Sequence, residues 1–120
     1  MSRSITATIA ALTLVILASL VGTAPALAGE AELAKGKELA FDRKKGNCLA
    51  CHMIADGDLA GNIGPPLLAM KARYPDIQVL RAQIWDATVK NPHTTMPPFG
   101  RHGILSDEEI DLITQYIYTL

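Results

Sequence analysis

Cys48-Leu-Ala-Cys51-His52 gathers both cysteines and one of the three histidines of the 120-residue chain into five positions. Two thiols three residues apart fall on one helical turn, where each can add to one of two vinyl groups on the same ring. The histidine that follows is then delivered beneath the metal at the ring's centre. That is the attachment pattern for c-type haem: Cys48 and Cys51 as covalent thioethers, His52 as the proximal iron ligand. Three other uses of these residues demand different surroundings. A redox-active dithiol needs a thioredoxin-like βαβ context, and no convincing strand pattern occurs here. Zinc needs four closed ligands, and the remaining histidines, His93 and His102, lie far along the chain. A disulfide inside one turn would be strained and would close little loop.

One haem in an exported protein leaves a sixth iron position to fill. The stretch His93-Thr-Thr-Met96-Pro-Pro-Phe-Gly-Arg-His102 supplies three candidates. Met53 follows His52 directly and cannot reach the opposite haem face. Met70 reads as core filler, the usual role of a flexible thioether. Met96 stands in a loop stiffened by Pro97 and Pro98, which fix φ and remove competing backbone donors. His93 and His102 read as solvent-facing loop residues, with bis-histidine ligation as their alternative. Met96 is therefore the expected second axial ligand, and a thioether there raises the potential relative to a second imidazole. A ligating histidine usually donates its other N–H to a fixed acceptor. The rigid turn Gly64-Pro65-Pro66-Leu67 suits that task through a backbone carbonyl, against the plainer reading of a loop corner. Trp85 reads as a buried core side chain, with donation to a haem propionate as its alternative.

Elements to carry these residues can be read from local signals. Glu30 to about Phe41 is rich in helix formers, and Arg43-Lys-Lys-Gly-Asn47 breaks the helix. Ala55 to Pro66 must be loop, and Pro65 to Tyr74 has room for one or two helical turns. Asp76 can cap a helix bearing Ile77, Leu80, Ile84, Trp85 and Thr88 on one side, ended by Asn91-Pro92. Ser106 with Glu109 forms a capping box, and Ile110, Ile113, Tyr116, Ile117 and Leu120 make one apolar stripe. The expected class is all-α with long loops.

The beginning of the chain has a different character. Arg3, an apolar run of about 13 residues from Ile9 to Val21, and Ala26-Leu27-Ala28 match a secretory signal peptide. The run falls short of the roughly 20 residues a membrane-spanning helix needs. The expected organisation is a cleaved signal peptide over residues 1–28 and one domain over 29–120, which places the protein in the periplasm. Removing Arg3 leaves ten basic against twelve acidic residues, a formal charge of −2, which gives no footing for nucleic acid. A domain this small buries a modest core, and a covalently held haem would add the apolar surface that the chain lacks.

With these parts in order the chain resembles class I cytochromes c, whose N- and C-terminal helices cross around one haem and whose axial methionine precedes the last helix. Gly36 would allow close approach to Tyr116 at that crossing. Gly46-Asn-Cys-Leu-Ala-Cys-His52, Ile63-Gly-Pro-Pro-Leu67, Ile84-Trp-Asp-Ala-Thr88 and Met96-Pro-Pro-Phe-Gly-Arg-His102 further resemble the SoxX family. That family is the monohaem subunit of the SoxAX cytochrome of bacterial thiosulfate oxidation. The resemblance implies pairing with a SoxA-like haem subunit in a heterodimer. It also implies oxidative conjugation of thiosulfate to a cysteine of the SoxYZ carrier (an L-cysteine S-thiosulfotransferase activity), with electrons passed to a small cytochrome c. Bond formation would then lie on the partner subunit, with electron transfer as this chain's part and no catalytic residue of its own. A free-standing electron carrier and a haem sensor whose Met96 dissociates are the alternatives. Arg43, Lys44 and Lys45, just before Cys48, are expected beside the haem edge, where they could steer an acidic partner.

Overall fold

The computed structural model describes residues 24–120, so Arg3 and the apolar run to Val21 of the expected signal peptide lie outside the described residues. The first helix, α1, spans Ala24–Phe41 and runs unbroken past Gly29. It stops because Asp42 and the residues after it fold back on its end. Asp42 O accepts from Lys45 N and Asn47 N at 3.0 Å each, and Gly46 N donates to Leu39 O at 3.0 Å. A Cβ on Gly46 would sit 2.9 Å from that same carbonyl, so the turn is closed tightly enough to exclude any larger residue. Asn47 then takes a left-handed φ of 48°, which asparagine tolerates, and turns the chain into a 3-10 turn at Cys48–Ala50.

After a long loop comes α2, Met70–Arg73, a single turn. Asp76 caps α3, Ile77–Trp85, by accepting from Gln78 N at 2.8 Å. This helix ends earlier than Asn91-Pro92 would dictate. Asp86 adopts an extended φ of −153°, and its carboxylate accepts from Thr88 N, starting a separate 3-10 turn at Ala87–Val89. A short acidic side chain that bonds the backbone ahead of it competes with helix continuation, and here it wins. The last helix, α4, spans Asp107–Tyr118 and carries the complete capping box: Ser106 Oγ accepts from Glu109 N while Glu109 returns the bond to Ser106 N.

Among the described residues the elements are helices and turns with no strand, an all-α domain as expected. α1 and α4 cross at Gly36, where an added Cβ would lie 2.1 Å from the Leu112 carbonyl oxygen and 3.0 Å from Tyr116 Cβ. Only a glycine lets the backbones approach that closely. Beside the crossing Phe41 meets Tyr116 edge-on, with ring centroids 6.0 Å apart. The α4 stripe of Ile110, Ile113, Tyr116 and Ile117 is buried, together with Leu39 and Ala40 from α1 and Leu80 and Ile84 from α3. Arg81 joins α3 to α4 through Asp107 and Asp111. Met70 N donates to Leu120 O at 2.9 Å, docking α2 on the chain's last residue.

Candidate functional site

Between α3, α4 and the loops lies a cavity of about 420 Å³, within the range of small-molecule and cofactor sites. Cys48, Cys51, His52 and Met96 all line it, and Leu80, Ile84, Ile113 and Ile117 supply apolar wall. The residues singled out by spacing alone are thus brought to one place, although Met96 lies 44 positions beyond His52.

The cysteine end is built locally. Cys51 N and His52 N both donate to Cys48 O, at 3.2 and 2.9 Å, so the motif forms one tight turn. Neither cysteine is in a disulfide. Burial pushes the Cys48 thiol up to about 11, and the neighbouring Cys51 adds to the rise. A redox dithiol works through a thiolate with a depressed pKa, so this environment opposes that use.

The His52 ring is oriented by the turn at Gly64-Pro65. Nδ1 donates to the Pro65 carbonyl at 2.7 Å. A carbonyl can only accept, so the proton sits on Nδ1 and Nε2 keeps a free lone pair for a metal. Gly64 makes room for this: a Cβ there would fall 2.4 Å from His52 Cε1 and 2.9 Å from Nε2. The turn itself hangs on Gly64 N donating to Cys51 O at 2.8 Å.

Met96 is supplied by the loop from Asn91 to Leu105. Met96 is half-buried and packs against the core, and its backbone N donates to Thr94 Oγ1 at 3.2 Å. Phe99 is buried and holds the far end, accepting from Ile104 N and Leu105 N. Met70 is 1% exposed within the core, where Arg73 donates to its sulfur at 3.6 Å; it also borders the cavity. Both His93 and His102 are exposed, and His93 alone of the two borders the cavity. Met53 is 51% exposed and does not line it.

Two expectations need correcting. Trp85 is not core: it is 36% exposed, with its indole laid so close over Gly100 that a Cβ there would meet Cδ1 at 1.9 Å. Helix periodicity placed it inward, but α3 ends at this residue, so periodicity no longer governs where it points. Arg43, Lys44 and Lys45 do border a shallow hollow of about 350 Å³ beside Cys51, Met96 and Pro97. Lys45, however, is held by Glu109 at 2.6 Å, tying the end of α1 to the start of α4.

The residues present fit a haem. A flat apolar macrocycle matches a cavity walled by leucine and isoleucine and lined by two thiols, an oriented imidazole and a thioether. Among the described residues no three His, Cys, Asp or Glu side chains converge as a metal cluster. An ion held here would take most of its ligands from a cofactor, and a porphyrin provides four nitrogens in one plane. Sequence reasoning had no signal for the grip of Trp85-Asp86 on Gly100-Arg101. It is made of the Trp85 carbonyl, a glycine face and an ion pair between Asp86 and Arg101, which residue order does not bring together.

A family model described as "Cytochrome C oxidase, cbb3-type, subunit III" matches residues 31–117. The chain is also 40% identical over 76 residues to an "Uncharacterized lipoprotein" of Aquifex aeolicus (strain VF5). That alignment covers 62% of this chain and 37% of the relative, so the chain spans little more than a third of that protein.

Proposed function

The chain belongs to the cytochrome c family described as cbb3-type cytochrome c oxidase subunit III, and we propose that it carries one covalent haem c with His52 and Met96 as axial ligands and serves as an electron-transfer subunit. The observation that carries this reading is the shared cavity of Cys48, Cys51, His52 and Met96. When bound, haem c supplies one-electron redox chemistry. The chain's own residues do the rest. Cys48 and Cys51 anchor the ring covalently. The Pro65 carbonyl fixes the His52 tautomer and raises the basicity of Nε2. The loop around Met96 presents a thioether on the other side, a ligand that favours a higher potential. The apolar wall would keep water from the ring, and with His52 and Met96 both ligating no position would stay open for bond-making chemistry.

The reading extends to partners and place. Trp85-Asp86-Ala87-Thr88 and Met96-Pro-Pro-Phe-Gly-Arg101, which carry the resemblance to SoxX, pack against each other. Met53, Leu59 and Leu68 are 51 to 94% exposed, all on the loop that follows His52. Large exposed apolar side chains favour a stable partner over a solitary carrier. The partner is a SoxA-like haem subunit in thiosulfate oxidation, with SoxYZ as carrier and a small cytochrome c as acceptor. The family description favours a second reading, in which the electrons pass to an oxidase assembly. Export to the periplasm is supported by the haem chemistry, the signal-peptide pattern and the lipoprotein name of the relative. Among the described residues no helix is long and apolar enough to cross a membrane.

The exported protein should be heavier than its chain by one haem, and Cys48→Ala with Cys51→Ala should remove all covalent haem. Met96→Ala should abolish the weak sulfur-to-iron band at the red edge of the visible spectrum and lower the potential, while Met70→Ala keeps the band. Covalent haem in the double variant would sink the attachment site. Copurification with a SoxA-like chain, or with oxidase subunits instead, decides between the two partners.

A further inference from the structure

The chain leaves α3 at Trp85, runs out through Asn91 and Met96, and returns to the same place at Gly100. Five contacts close the neck of this excursion. Trp85 O accepts from Gly100 N at 3.0 Å and from Arg101 N at 3.4 Å. The Trp85 indole covers the bare Cα of Gly100. Arg101 Nη1 meets Asp86 Oδ2 at 3.0 Å and donates to Thr88 Oγ1 at 3.3 Å. Asp86 is 4% exposed, and its other oxygen accepts from Thr88 N and from the Thr88 hydroxyl. The carboxylate is therefore held on three sides, and it fixes the guanidinium in turn. None of these residues lies within two positions of His52 or Met96, and none of these five contacts touches either.

We propose that Trp85-Asp86 and Gly100-Arg101 form a clamp that positions the Met96 sulfur, so that closing the loop's neck keeps the thioether in the sixth iron position. The inference rests on the reading of Met96 as ligand.

Compact loops with adjoining ends hold their shape by closing that neck and by packing their own side chains. An open neck frees a stretch of about 15 residues, and the entropy regained grows with the logarithm of its length. Inside the loop the ties are few and neutral: Met96 N to Thr94 Oγ1, Thr94 N to Asn91 O and His93 N to Asn91 Oδ1. The Asp86–Arg101 pair is the charged contact at the neck, and its buried carboxylate would be left uncompensated without the guanidinium. Arg101, Asp86 and Trp85 are thus positioning residues for a ligand that they do not touch.

The test compares Arg101→Gln and Asp86→Asn with Arg81→Gln in haem-loaded protein. Arg81 makes ion pairs of the same chemistry, to Asp107 and Asp111, but these join α3 to α4 and leave the loop alone. Arg101→Gln and Asp86→Asn should weaken the sulfur-to-iron band and let carbon monoxide bind the reduced protein at least about tenfold faster, the scale of losses when outer-shell partners are removed. Covalent haem content should stay at one per chain. Arg101→Lys, which keeps the charge opposite Asp86, should fall between. Arg81→Gln should lower the unfolding midpoint while leaving band and carbon monoxide rate unchanged. The Arg101 side chain is 49% exposed, so that variant remains informative where Asp86→Asn fails to fold. An intact band and unchanged carbon monoxide rate in Arg101→Gln, with only the unfolding midpoint lowered, overturns the clamp. Met96→Ala separates the two failures: loss of the band there, with the band kept in Arg101→Gln, removes the clamp alone. A band that survives Met96→Ala removes the ligand reading and the clamp with it.

Discussion

His52 and Met96 border one cavity, but they reach it by different means. His52 takes its orientation from Pro65, 13 residues on, through a single bond to a carbonyl set in a rigid Gly-Pro-Pro turn. The turn hangs on Cys51 O and on Arg73, which donates to the Pro66 carbonyl at 2.8 Å, so His52 is oriented from within Cys48 to Arg73. Met96 stands on a loop whose neck is closed by the end of α3 and whose far end rests on α4. Its position depends on three elements being packed first. Local construction resists perturbation until a backbone atom is displaced. Assembled construction can fail by degrees.

The sharpest way to break the contrast is to add one methyl group on each side. Gly64→Ala puts a Cβ 2.4 Å from His52 Cε1, against a ring bound to Pro65 and unable to turn away. Yield of covalent haem should drop about tenfold or more, as for loss of an outer-shell partner. Gly100→Ala brings a Cβ 1.9 Å from the Trp85 ring, but that indole is 36% exposed and can swing toward solvent. Covalent haem should stay complete there, with only the sulfur-to-iron band weakened. Equal losses of haem in the two variants would erase the distinction.

A change at the shared frame should strike both sides together. Gly36→Ala gains roughly 1 kcal/mol of helix propensity, but its Cβ would lie 2.1 Å from a backbone oxygen that cannot move aside. Overpacking of that kind costs about 1–3 kcal/mol, so the variant should lose on balance and its urea midpoint should fall. A midpoint that holds or rises would mean α1 and α4 slide apart without cost.

The smallest effect belongs to the proximal side. Asp56, four residues past His52, bonds Lys37 on α1 and accepts from the Tyr116 hydroxyl on α4 at 3.0 Å. The Lys37 ammonium, with Tyr116, holds the Asp56 carboxyl below the usual carboxylate range; burial and the nearby carboxylate raise Tyr116. A depressed folded pKa gives stability that is present above the unfolded value, about 3.9, and is lost as pH falls through the folded one. The Asp56 side chain is 46% exposed, so solvent screening keeps the contribution below about 1 kcal/mol. Asp56→Asn should be slightly less stable than the native protein at pH 7, and the two should converge as pH falls through the depressed folded pKa of Asp56. A difference that persisted or grew in acid would mean that Asp56 acts through something other than its charge.

What could be read from residue order alone was whatever short-range geometry enforces. Cys48-x-x-Cys51-His52 is fixed by covalent spacing, and the Ser106–Glu109 box and the α4 stripe by hydrogen bonds and periodicity within one helix. Gly36 was legible too, because two helices that cross closely need a residue without a side chain. Packing alone decided that Trp85 lies over Gly100 and that Lys45 is spent on Glu109. Those outcomes turn on side chains distant in sequence, Asp86 meeting Arg101 and Lys45 meeting Glu109, and on the Trp85 carbonyl, a group that every residue type carries alike. Such partners acquire an address only when distant segments are folded against each other, and the meeting of Met96 and His52 at one cavity belongs with them.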